Sequence, residues 1–160
     1  MADRLAGYSL DSSSLIDLVD RHYVRAVFPA LWERMEALVA EGRLVVVDQA
    51  ALECKSDAAR AWLEDNPKAI QGALEVWERA RRIVESVEKD HGVAPVETRW
   101  KGAKDADPLV IALAEERGFA VVTSENKGSV DHPKIPTVCE WQGVECLNLV
   151  EFFERERWSF

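Results

Sequence analysis

Short, continuously apolar runs alternate along this chain with longer stretches in which apolar residues recur at helical spacing. Leu44-Val45-Val46-Val47 and Phe119-Ala120-Val121-Val122-Thr123 are of the first kind, and their β-branched content suits parallel strands buried on both faces. Tyr8-Ser9-Leu10-Asp11 reads as the end of a short strand. It runs into Ser12-Ser13-Ser14, good chemistry for a helix N-terminus, and a short helix carrying Leu15, Ile16, Leu18 and Val19. A second helix follows Pro29, with Leu31, Met35, Leu38 and Val39 on one face and Gly42 as its stop.

Beyond the Leu44–Val47 run, Asp48 opens a helical stretch that carries Glu53. The span from Asp57 to about Asp90 predicts two helices broken near Asn66-Pro67, their apolar faces supplied by Trp62, Leu63, Ile70, Leu74, Trp77, Ile83, Val84 and Val87. Asp107-Pro108 begins a helix that is apolar all round from Leu109 to Ala114 and ends at Gly118, so it should be deeply buried. Pro136-Thr137-Val138-Cys139 and Glu145-Cys146-Leu147 read as weaker strands, and Val150 to Trp158 as an amphipathic helix. Strands alternating with helices imply an α/β fold with a parallel sheet covered on both faces. No repeat or linker divides the chain, so residues 1–160 are read as a single domain.

In such folds the functional crevice lies beyond the carboxyl ends of the strands, and acids occupy those ends here. Asp11 ends the first strand and Glu53 lies near the start of the helix after the second. A helix from Pro108 to Arg117 rises about 15 Å, and a strand from Phe119 to Thr123 returns about 17 Å. That path brings Glu125 back to the level of Asp107. Carboxylates held together repel one another unless a cation neutralises them. Mg²⁺ is a hard ion that takes one or two carboxylates, waters and substrate phosphate, and such an ion supports phosphodiester hydrolysis by activating water and stabilising charge on the phosphate. His22, His91 and His132 are scattered and show no nucleophile–base pattern.

Composition qualifies this picture. The 48% hydrophobic and 31% charged content is that of a globular chain. No apolar run approaches the roughly 18 residues of a membrane span. The first residues lack the basic-then-apolar pattern of a signal peptide, so a cytoplasmic location is expected. Cys54, Cys139 and Cys146 are odd in number and form no CxxC, which argues against a disulfide framework or zinc knuckle. The net charge of −9 weighs against a nucleic-acid partner, although Arg99-Trp100-Lys101-Gly102-Ala103-Lys104 forms a basic island before Asp105 and Asp107. That island can draw in phosphates, with Trp100 stacking a base, or be a solvated loop.

Four segments carry a family resemblance. Asp11-Ser12-Ser13-Ser14-Leu15-Ile16 is similar to the D-[ST]-S-x-L-I opening of PIN domains. Asp107-Pro108-Leu109-Val110-Ile111-Ala112-Leu113-Ala114 resembles their D-A-x-I-A-x-A helix, with Pro for Ala. Val121-Val122-Thr123-Ser124-Glu125-Asn126 looks like their V-T-x-D segment, with Glu for Asp, and Glu53 fits the acid they carry after the second strand. Trp62-Leu63, Ala106-Asp107-Pro108, Thr123-Ser124-Glu125 and Lys134 to Cys139 resemble a PIN-like branch known as a domain of unknown function.

The order agrees from about residue 7 to 150. The resemblance implies a three-layer α/β/α sandwich with a central parallel sheet and a Mg²⁺- or Mn²⁺-dependent endoribonuclease acting on single strands. Many bacterial PIN proteins are VapC-like toxins held by a small antitoxin, so RNA substrate, an antitoxin partner and a homodimer are the implied partners, with no membrane. Its longer Glu53–Lys101 region leaves substrate and partner surfaces open.

The assigned metal ligands and catalytic residues are Asp11, Glu53, Asp107 and Glu125, with Asp105 an extra ligand or a solvated loop residue. Asp107 before Pro108 is also suited to cap a helix. Asp48 rivals Glu53 but sits where a cap belongs. Ser12, Thr123 and Asn126 are placed to orient the carboxylates. Arg79, Arg81 and Arg82 read as a solvated helix face. A haloacid-dehalogenase-like phosphatase would require a second acid at position 13, where Ser stands, and the acids are in the wrong order for a phospho-receiver. The alternative from a different class is a PIN-like module that binds RNA or protein without cutting.

Overall fold

The structure, a computed structural model, describes residues 6–92, 106–130 and 132–160. Its elements run β1 (Tyr8–Leu10), α1 (Ser12–Ile16, continued by a π-helical stretch Asp17–His22), α2 (Pro29–Ala40), β2 (Leu44–Val47), α3 (Asp48–Glu53), α4 (Asp57–Asp65), β3 (Ile70–Gln71), α5 (Trp77–Asp90), α6 (Ala106–Arg117), β4 (Ala120–Val122), α7 (Ile135–Gln142), β5 (Cys146–Leu147) and α8 (Leu149–Arg155). The strands form one sheet in the order β3-β2-β1-β4-β5, and each pairing between these strands is parallel. Helices cover both faces, giving a three-layer α/β/α sandwich.

Burial explains the strand assignments. All residues of β1, β2 and β4 are buried, and tall β-branched side chains pack well on a pleated surface covered on both sides. The middle layer is aligned by Tyr8 opposite both Leu44 and Ala120, and by Leu10 opposite Val122. On one face α6 lies across β1, β2 and β4, backed by α5 and flanked by α7. Every α6 residue from Ala106 to Ala114 is buried, so the helix is apolar on all sides because it has neighbours on all sides. Ser9 Oγ ties β1 to it by donating to the Val110 carbonyl at 2.9 Å. Close packing continues at Gly7, where a Cβ would stand 2.3 Å from the Phe119 ring.

The amino-terminal edge of the sheet is fastened separately. Arg43, just before β2, donates through Nη2 to both Glu156 carboxylate oxygens at 2.9 and 2.7 Å, and the Tyr8 hydroxyl donates to the same carboxylate. Burial, then the Glu156 bond and charge, push the Tyr8 phenol above its ordinary value. This clasp joins the starts of β1 and β2 to the end of α8.

Several expectations need correction. Residues Pro136–Cys139 are helical: Ile135, Val138 and Cys139 are buried at helical spacing, Pro136 sits in the first turn, and Gly143 closes the helix at φ +68°. The segment between α4 and α5 is not a simple break, because two 3₁₀ turns there flank the edge strand β3. Leu74, in the second turn, is 91% exposed and Trp77 is exposed as well, so neither builds the core. Arg79 is paired with Glu115 and Glu116 of α6 at 2.6 and 2.7 Å, whereas Arg81 and Arg82 are solvated. Among the described residues, no helix is long and apolar enough to cross a membrane.

Candidate metal centre

The strand order reverses direction between β1 and β4, and in parallel sheets a crevice opens beyond the carboxyl ends at such a point. Asp11 directly follows β1 there. It stands at the N-cap of α1, yet its side chain makes no capping bond to that helix's second or third amide. The carboxylate is held by hydroxyls: Ser13 Oγ donates to Oδ2 at 2.6 Å and Thr123 Oγ1 donates to the same oxygen at 3.0 Å. Thr123 belongs to the segment after β4, so this bond crosses the switch point. Ser14 reinforces the crossing, its hydroxyl lying 2.7 Å from the Asp11 carbonyl and 3.0 Å from that of Val122. The three serines thus differ in work: Ser12 faces the cleft, Ser13 orients the acid, and Ser14 fastens the two strand ends.

Asp11 is only 3% exposed. Burial raises its pKa above the ordinary carboxylate value, and the nearby charge of Glu125 adds to the rise. The Ser13 and Thr123 hydroxyls and the Ser12 amide pull the other way without cancelling it. An acid so placed is better suited by a neighbouring cation than by isolation.

Asp11, Glu53, Asp107 and Glu125 line one cleft of about 450 Å³. They arrive from four places: the end of β1, the end of α3, the first turn of α6 and the loop after β4. Asp107 is 7% exposed, Glu125 is half-buried and Glu53 is exposed. Glu53 accepts a bond from Gln49 at 3.2 Å, and it closes α3 instead of standing near its start. Glu125 is positioned by its own amide, which donates to Thr123 Oγ1 at 3.1 Å. Thr123 therefore fixes two of the four acids.

Other assignments are redistributed. Helix α6 begins at Ala106, which puts Asp107 inside the first turn and not at the cap. Asp48 is the first residue of α3, with Val47 at the cap, and it does not line the cleft. Asn126 is directed elsewhere: its Oδ1 accepts from the Gly128 amide at 2.9 Å, and it lines an adjoining cavity with Lys127. Asp105, Arg99, Trp100, Lys101 and Lys104 lie outside the described residues. Lys55 and Arg60 also line the cleft and were not singled out from the sequence. The sequence signal for Lys55 is its place between two small polar residues, Cys54 and Ser56, just past a helix end.

The fit to a divalent cation has limits. Among the described residues, no three acidic, histidine or cysteine side chains stand close enough as placed to hold one ion together. The described residues alone therefore build no all-protein cage of the calcium kind. Mg²⁺ needs less, one or two carboxylates with water and substrate oxygens completing its shell, and the all-oxygen donors around buried Asp11 fit that mode.

The family described as Domain of unknown function (DUF4411) matches residues 8–160, almost the whole chain, and the chain belongs to that family. No curated protein matches it.

Proposed function

We propose that this member of the DUF4411 family is a PIN-like endoribonuclease that uses Mg²⁺ or Mn²⁺ to hydrolyse RNA phosphodiester bonds. The observation that supports it is the convergence of four carboxylates from separate elements on one cleft at the sheet's switch point. Sequence order agrees with the PIN pattern at the same residues. Bound there, the ion would supply electrophilic stabilisation of the phosphate and a water of lowered pKa.

The chain's own residues do the rest. Asp11 and Asp107, recessed in the cleft, would be the ion's main holders, with Glu125 from the loop after β4 and Glu53 from the α3 end lining the same cleft. Ser13 and Thr123 lock the Asp11 carboxylate so that it does not reorient when charge develops nearby. The resemblance to VapC-like proteins extends the reading to the toxin half of a toxin–antitoxin pair. A small DNA-binding protein encoded beside it is the expected partner, and a stand-alone gene would remove that role.

The deciding test incubates the purified protein with structured and unstructured RNA, with Mn²⁺ and with chelator. Cleavage is expected only with the metal, and Asp11→Asn and Asp107→Asn are expected to abolish it while remaining folded. Metal-dependent cleavage unchanged in both variants would sink the assignment. RNA retained but never cut by the wild type would make the protein a binding module.

A further inference from the structure

The carboxylate cleft poses an electrostatic difficulty. A phosphodiester is itself an anion, and this chain carries a net charge of −9. Most arginines near acids are already committed: Arg43 to Glu156, Arg79 to Glu115 and Glu116, and Arg155 to Glu145. Among the described residues, two cations line the carboxylate cleft, Lys55 and Arg60.

Their placement follows from the link between α3 and α4. The residues on either side of Lys55 are extended, Cys54 at φ −66°, ψ 120° and Ser56 at φ −84°, ψ 124°. In extended chain successive side chains point to opposite sides. Cys54 and Ser56 are buried and Lys55 between them is exposed, so the alternation turns Lys55 outward at the cleft. Ser56 anchors this register: its hydroxyl accepts from the Ala59 amide and donates to Asp20, both at 3.2 Å. Lys55 has no ion pair among the described residues. Arg60, one turn into α4, donates through Nε to the Cys54 carbonyl at 2.7 Å. Among the described residues, its Nη1 forms an ion pair only with Asp57, at 4.0 Å and wholly exposed. The guanidinium is pinned at the cleft while its outer donors face a weak partner.

We propose that Lys55 and Arg60 form the phosphate-holding wall of the cleft, gripping the backbone of a single-stranded RNA beside the phosphate presented to the carboxylates. This rests on the nuclease reading and names how that same site takes its substrate. A lysine ammonium and a forked guanidinium at one wall suit phosphate oxygens, and their charge offsets the repulsion of the four acids where the chain must approach.

The test measures binding of a short, fluorescently labelled single-stranded RNA of mixed sequence by anisotropy across a salt series, for wild type, Lys55→Ala, Arg60→Gln and Arg60→Lys, with steady-state cleavage alongside. Each lost charge is expected to weaken binding about tenfold and to reduce the salt slope by about 0.7. In cleavage KM rises while kcat stays near wild type. Arg60→Lys keeps the charge and loses the Nε bond, so it should retain the slope. A purely structural Arg60 would instead show a lower melting temperature in both Arg60 variants and an unchanged slope. Unchanged slopes in Lys55→Ala and Arg60→Gln overturn the proposal even if Asp11→Asn abolishes cleavage. Reduced slopes support it even if Asp11→Asn still cuts and the nuclease assignment falls.

Discussion

Asp11 shows what burying an acid costs the fold. Its carboxyl keeps its proton to higher pH in the folded chain than in the unfolded one, chiefly because it is buried. Across the interval between those two pKa values the folded state binds more protons, so stability falls as pH rises and levels off above it. Asparagine cannot ionise and retains an oxygen to accept the Ser13 and Thr123 hydroxyls. In chelator at neutral pH, Asp11→Asn should therefore melt above the wild type, and the gap should close as the solution is acidified through that interval. Calorimetry of both proteins across pH checks this; a variant melting below wild type at neutral pH contradicts it. Asp11 and Asp107 stood out as candidates because a strand end and a helix start are local features. Ser13, Lys55 and Arg60 were not, since their meaning depends on what stands opposite them: Thr123 lies 110 positions from Ser13 in sequence.

Among the elements, those whose pattern has one reading came through from sequence, such as β2 with four buried residues and α6 with its apolar centre. Residues Pro136–Cys139 misled because a short apolar run fits either period, and only the burial of Ile135 with Val138 and Cys139 selects the helix. Strand β3 is two residues long and earns its place solely by pairing with Val46 and Val47, a tertiary fact invisible to local pattern. The clasp at the sheet's other end was hidden for the same reason, since Arg43 and Glu156 are separated by most of the chain. Their side chains are 16% and 10% exposed. Removing one partner of a buried pair costs about 3–5 kcal/mol, and this partial exposure favours the lower end. Arg43→Met should lower stability by that amount in urea unfolding. On the proposed nuclease reading its kcat for RNA, measured well below the melting temperature, should match wild type, because the clasp sits at the starts of β1 and β2, away from the carboxylates. A loss of kcat in a protein still fully folded would show that the two ends of the sheet are coupled.

If the proposed nuclease reading holds, the whole molecule sets which form of RNA can reach the cleft. Alternating strands and helices announced a covered parallel sheet, but the order β3-β2-β1-β4-β5 depends on which strands meet in space, and that order places the crevice between the ends of β1 and β4. The cleft there, about 450 Å³, is of small-ligand size. Its two most recessed acids, Asp11 and Asp107, are 3% and 7% exposed. A phosphate must descend into the cleft to reach them. An RNA duplex presents its backbone as stiff rails on a broad A-form helix, whereas a single strand can splay its bases and lower one phosphodiester. The chain as a whole carries a net charge of −9, so it offers a duplex little long-range attraction beyond the cleft itself. One labelled RNA, tested alone and annealed to its complement under the same Mn²⁺ concentration, should be consumed as a single strand while the annealed form stays intact. Equal rates on the two forms would mean that the phosphate is cut at the rim of the cleft, and that Asp11 and Asp107 are too deep to be its metal holders.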